Sequence, residues 1–107
     1  MARFTLRELD NGKTLRVPLG STIEIELWEN ATTGGRWRVE TAGHGELVGE
    51  SDFFRLAPSA ETGGGGFRQL VFSAVAPGEA NIELWYGRSM VTSEDAWRRF
   101  KVHLQIG

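Results

Sequence analysis

The C-terminal run Phe100-Lys101-Val102-His103-Leu104-Gln105-Ile106 alternates apolar and polar residues without a break. A period of two places every second side chain on one face of an extended strand, so the run calls for a sheet with one face in a core and the other in water. Ile82, Leu84 and Tyr86 repeat the pattern against Glu83 and Trp85, and Ile23-Glu24-Ile25-Glu26-Leu27 repeats it again. Read this way, strands cover Arg3 to Leu6, Thr14 to Val17, Ser21 to Trp28, Arg36 to Glu40, Glu46 to Leu56, Phe67 to Val75, Ala80 to Tyr86 and Trp97 to Ile106. Asp10-Asn11-Gly12, Pro18-Leu19-Gly20 and Ala76-Pro77-Gly78 separate them with residues that supply turn dihedrals. No long helix is needed. About seven or eight strands punctuated by turns predict an all-β sandwich.

A chain of 107 residues fits one domain, residues 1–107, with no internal repeat and no linker. That length buries somewhat more than about 60% of the unfolded surface, enough for one core. Cysteine is absent, which excludes disulfides, a thiol nucleophile and thiolate metal sites, so stability rests on packing. A net charge of −2 with dispersed Lys and Arg argues against nucleic acid as a partner, and Arg98-Arg99 reads as polar strand positions. No apolar run approaches the roughly 20 residues that span a bilayer, and Met1 to Leu6 lacks the apolar region of a signal peptide, so no membrane partner is expected and the chain as given reads as soluble. The triplet Asn30-Ala31-Thr32 fits the glycosylation pattern, one that arises often by chance.

An enzyme reading finds little support. His44 stands between two glycines in a turn and His103 lies on the polar face of the last strand, neither beside an evident nucleophile or ligand, so both read as ordinary solvated histidines. Glu61, Glu94 and Asp95 read as solvated loop carboxylates. No cofactor and no metal is called for.

The chemistry lies in the connections. Asn30-Ala31-Thr32-Thr33-Gly34-Gly35 joins two strand-like runs and offers a stiff, hydrogen-bonding loop without a catalytic side chain, because Asn and Gly tolerate turn geometry and β-branched threonines restrict side-chain motion. Gly63-Gly64-Gly65-Gly66 presents bare backbone that can approach another chain and exchange hydrogen bonds with it. No Gly-Lys-Ser/Thr ending follows, so a phosphate-cradling loop is disfavoured. Tyr86-Gly87-Arg88-Ser89-Met90 leads into a third connection.

These three segments, in this order, resemble the signatures of the chagasin family of cysteine protease inhibitors: an Asn-Pro-Thr-Thr-Gly-aromatic loop, a Gly-x-Gly-Gly loop and a Tyr-x-Arg-Pro-Trp segment. The resemblance implies an immunoglobulin-like antiparallel sandwich, monomeric when free, that reversibly and noncovalently inhibits papain-like cysteine proteases. It also implies a wedge in which Asn30 to Gly35 covers the catalytic cysteine while Gly63 to Gly66 and the loop of Arg88, Ser89 and Met90 grip either side. Ala31 departs from the family's proline, Gly35 from its aromatic and Ser89-Met90 from its Pro-Trp, so a fixed dihedral and two large anchors are lost.

The tryptophans bear on that loss. Trp28 and Trp37 bracket the first loop, while Trp85 and Trp97 bracket the third. Trp37 reads as a core residue, whereas Trp28 and Trp85 share strand parity with Glu26 and Glu83, and Trp85 is the expected exposed contact; packing under a loop is the plain alternative. Two other functions remain open on sequence: an immunoglobulin-like adhesion or assembly module, and a carbohydrate-binding module that stacks sugars on Trp28 or Trp85.

Overall fold

The computed structural model describes residues 2–57, 65–88 and 93–107. Its strands are β1 (Arg3–Leu6), β2 (Thr14–Val17), β3 (Thr22–Asn30), β4 (Gly35–Ala42), β5 (Leu47–Leu56), β6 (Gly65–Ala74), β7 (Gly78–Arg88) and β8 (Arg98–Ile106). They form two sheets, in the order β1-β3-β6-β5 and β2-β8-β7-β4. Among the described residues the remaining regular structure is short 3₁₀ turns, at Glu8–Asp10, Ala31–Thr33 and Ser93–Asp95. No helix among them is long and apolar enough to cross a membrane.

Alternation builds the core directly. Ile23, Ile25 and Leu27 of β3 and Leu70, Phe72 and Ala74 of β6 face Ile82 and Leu84 of β7 and Phe100, Val102 and Leu104 of β8, with Trp37 closing one end. Fully burying one such side chain is worth about 1.5–3 kcal/mol, which repeated across two inner faces holds the sheets together.

Pairing is antiparallel through the long strands, but not throughout. β1 runs parallel to β3 and β2 parallel to β8, two short edge pairings in an otherwise antiparallel sandwich. The cause is the turn between them, which carries the chain from one sheet to the other while reversing its direction. Its side chains dock it on both sides: Glu8 Oε2 accepts the Trp28 N–H of β3 at 2.7 Å, and Asn11 Oδ1 accepts the Lys101 N–H of β8 at 2.8 Å. Asp10 holds the turn itself, accepting the Arg7 N–H at 2.9 Å and pairing with Lys13 at 2.8 Å.

On the opposite side of the sandwich the edge strands are β4 and β5, and each breaks register once. Glu40 is the extra residue between Val39 and Thr41, and Glu50 the extra residue between Gly49 and Ser51.

Candidate functional site

Register brings the three connections to one end of the sandwich. Asn30 at the end of β3 pairs with Gly65 at the start of β6, and Leu56 at the end of β5 pairs with Gly66. In the other sheet Gly35 opens β4 opposite Arg88, and Tyr86 pairs with Arg98 at the start of β8. The segments 31–34, 57–64 and 89–97 therefore leave strand ends that lie side by side.

The first of these is braced from within. Asn30 Oδ1 accepts the Thr32 N–H at 3.0 Å and the Thr32 hydroxyl at 2.6 Å, while the Thr33 hydroxyl donates to the Asn30 carbonyl at 2.8 Å. An Asn side chain that captures the amide two residues on replaces a backbone turn, which is why the sequence needs Asn at this position. Tyr86 fixes the base of the loop from the other sheet: its hydroxyl accepts the Asn30 N–H at 3.0 Å. Gly34 adopts φ 79°, a left-handed conformation open to glycine at little cost. Thr32, Thr33 and Gly34 are exposed and carry no charge. The loop is a rigid, neutral, hydrogen-bonding projection.

Gly35 belongs to the strand rather than to the loop. It is buried, and a Cβ built on it would lie 2.5 Å from the Tyr86 hydroxyl and 3.0 Å from Trp97 Cζ3. A larger residue there requires both rings to move.

Beneath the loop lies a buried charge cluster that the sequence reading missed. Glu29, only 1% exposed, accepts hydrogen bonds from Arg68 Nε at 3.1 Å, Arg68 Nη2 at 2.8 Å and the Trp37 N–H at 2.8 Å. Arg68 also reaches Asp52 at 3.1 Å, and Arg36 approaches the same carboxylate at 3.7 Å. The hydrogen bonds that it donates to Glu29 hold the Arg68 guanidinium above its ordinary pKa against the opposing effect of burial. A bidentate pair of this kind joins β3, β4, β6 and β5 just below the loops. The signal was available in strand parity: Glu29 shares the inward face of Ile23, Ile25 and Leu27, and Arg68 that of Leu70 and Phe72. Opposite charges at two core positions of paired strands point to each other.

The other expected site residues divide. Gly63, Gly64, Ser89 and Met90 lie outside the described residues, as does Glu61. Gly65 and Gly66 open β6, where both are buried, Gly65 against the Trp28 indole and Gly66 against Arg55, Phe54 and Leu56, so this half of the glycine run is committed to its own sheet. Arg88 is exposed at the end of β7. Trp85 corrects the expectation of an exposed contact. It is only 8% exposed: the Arg38 guanidinium lies 5.3 Å from its ring centroid, and the ring packs so close to Gly87 that a Cβ there would lie 3.0 Å from Trp85 Cζ3. Arg38 is itself held by the Gly87 carbonyl at 3.1 Å. Trp85 thus braces the outer face of the sheet together with Arg38 and Gly87. Trp37 is buried as expected, its indole N–H donating to the Trp28 carbonyl at 2.9 Å. Trp28 is exposed on the outer face of the other sheet, edge-on to Phe67 at 5.5 Å.

His103 also departs from the solvated reading, since its ring nitrogens lie 2.6 Å from Asn81 Oδ1 and 2.7 Å from Glu79 Oε1. These contacts lie toward the end of the sandwich away from the loops. Glu94 and Asp95 are exposed in their 3₁₀ turn, and no group of three His, Asp or Glu among the described residues could hold a metal.

The arrangement has counterparts in known proteins. Chagasin from Trypanosoma cruzi is 33% identical over 100 residues, which cover 89% of this chain and 90% of that protein. EhICP2, a cysteine protease inhibitor from Entamoeba histolytica, superposes with a TM-score of 0.89 at 24% identity, covering all of this chain and 97% of the other. PbICP-C, whose structure is that of a complex with falcipain-2, superposes with a TM-score of 0.69 at 15% identity over the full length of both chains. At those identities the two structures establish the immunoglobulin-like fold. The family model of the chagasin family peptidase inhibitors, I42, matches residues 16–104, and together with the curated relative it shows that this chain belongs to the chagasin family.

Proposed function

We propose that this protein inhibits papain-like cysteine proteases reversibly, by inserting three neighbouring loops into the active-site cleft and forming no covalent bond. The observation that carries the reading is the first loop. Asn30 to Gly34 projects from the end of the sandwich with its shape fixed by Asn30, Thr32, Thr33 and Tyr86, and it presents hydroxyls and backbone but no nucleophile and no charge. Such a loop can cover a catalytic thiolate without reacting with it. Fixing its conformation in the free protein removes an ordering cost of about 0.5–1.5 kcal/mol for each side chain that binding would otherwise immobilise.

Ala31 takes part in that loop through its backbone turn, Gly35 by letting Tyr86 approach, and Arg88 by placing a cation beside the cleft. Gly63-Gly64 and Ser89-Met90 supply the two flanks of the wedge, each carried by a strand end beside the first loop. Three loops side by side can reach the roughly 800 Å² per partner of a standard interface.

Titration of papain with the protein, followed by hydrolysis of a fluorogenic peptide, tests the reading. Inhibition is expected at or below micromolar concentration, reversed by dilution, with both chains intact on electrophoresis. Failure to inhibit any member of a broad papain-like panel, or inhibition that requires cleavage of this chain, would refute it.

A further inference from the structure

The aromatic side chain missing at position 35 leaves a space that another element fills. Trp97, the residue just before β8, brings its ring to Gly35, with Cζ3 3.0 Å from where a Cβ would stand. It is anchored in three ways. Its N–H donates to the Tyr86 carbonyl at 2.8 Å, its ring meets the Tyr86 ring edge-on at 5.6 Å, and the Arg88 guanidinium lies 6.0 Å from its centroid. With all of these contacts made, Trp97 is still 48% exposed.

The other tryptophans lack this combination. Trp37 is in the core, Trp85 is covered by Arg38 and Gly87, and Trp28 is exposed on the outer face of the opposite sheet against Phe67. Trp97 alone among them is both open to solvent and wedged between the base of the first loop and Arg88 of the third.

We propose that Trp97 is the aromatic contact of this inhibitor, presenting its open half to the protease cleft in place of a side chain at position 35. The proposal deepens the inhibitor reading and rests on it. A tryptophan supplies a large contact area for the loss of two rotatable bonds, and here Tyr86, Gly35 and Arg88 already pack against the ring in the unbound protein. Arg88 adds to the same surface: a guanidinium over an indole face gains attraction when water is excluded from the pair. Tyr86 links the two loops, because the same side chain that carries the Trp97 ring also holds the Asn30 backbone.

The test uses the protein labelled with 5-fluorotryptophan, whose four tryptophans give separate fluorine resonances assigned by single substitutions. Papain is the probe. On saturation with papain the Trp97 resonance is expected to move and to lose its solvent isotope shift, while that of Trp85 holds its position. Trp97→Ala, checked for folding by circular dichroism, should raise the inhibition constant about thirtyfold, as for an aromatic truncated at an interface centre. The labelled protein carries the decision if that variant does not fold. Inhibition of papain with an unmoved, still solvent-sensitive Trp97 resonance would overturn the proposal and leave the inhibitor reading standing. Absence of inhibition by the unsubstituted protein would overturn the inhibitor reading, and the proposal with it.

Discussion

Removing Arg68 should be far more damaging than its place among other polar strand residues suggests. Arg68→Leu leaves the Glu29 carboxylate, 1% exposed, with the Trp37 N–H as its remaining partner among the described residues. Of the three charge-assisted hydrogen bonds that disappear, the one to Asp52 is partly exposed and the two to Glu29, at 3.1 and 2.8 Å, are buried and carry the cost. At about 1.5–3 kcal/mol each they sum to about 3–6 kcal/mol, in line with the cost of about 3–5 kcal/mol for breaking a buried pair by removing one partner. Against a total stability of about 5–15 kcal/mol, that is a large share. With a urea slope of about 1–3 kcal/mol per M, the unfolding midpoint should fall by at least about 1 M. The double variant Glu29→Gln with Arg68→Met removes both charges and keeps an acceptor for Trp37, so it should recover at least about half of the loss. A midpoint shift below about 0.3 M in Arg68→Leu, or a double variant no more stable than the single one, would show that the pair does not carry the energy assigned to it.

Three further outcomes follow from the geometry. Asn30→Ala removes the acceptor of two hydrogen bonds within the first loop, and should weaken papain inhibition at least about tenfold while lowering stability by no more than about 1 kcal/mol; unchanged inhibition would mean the loop's shape does not matter. Trp85→Ala removes a covered ring under the third connection, so its effect, up to about 3 kcal/mol, should appear in the urea midpoint, with the inhibition constant of the folded fraction within about threefold of the parent. The carboxyls of Asp10, Glu46 and Glu79 are held below their ordinary pKa values of 3.8, 4.5 and 4.5 by hydrogen bonds from Lys13, from the His44 amide and from His103 respectively. A depressed folded-state pKa contributes stability above the ordinary value that is lost as pH falls through the folded one, so the urea midpoint should decline below about pH 4.5; a midpoint that rises between pH 5 and 3 would contradict the sign.

Local pattern carried most of the fold into view. The last strand, read as Trp97 to Ile106, is Arg98–Ile106, and Arg3 to Leu6 and Thr14 to Val17 match their strands at both ends, because period-two burial is written into neighbouring residues. Parallel pairing of β1 and β2 was not legible, since it depends on which distant strand each edge meets. The position of the first loop was readable from Asn30, Thr32 and Thr33, whose bonds are local. What escaped was decided between segments distant in the sequence. Glu29 and Arg68 are 39 residues apart, Trp85 is covered by Arg38 from the neighbouring strand, and Trp97 meets Gly35 and Tyr86 only in the folded chain.

The two register breaks bear on how copies of this protein behave together. β4 and β5 are the long exposed edges of the sandwich, and a flat edge strand is a template on which another chain can polymerise. Each carries one bulge, and each bulge places an exposed glutamate, Glu40 or Glu50, where a continuous ladder would have to pass. A bulge twists the strand and leaves one residue without a ladder partner, and a like-charged carboxylate on the incoming copy would repel it. Concentrated stocks should therefore stay free of fibrils even though both edges are open. Filling the breaks, by deleting Glu40 and Glu50, would leave two unbroken edges along which copies of the protein could pair side by side.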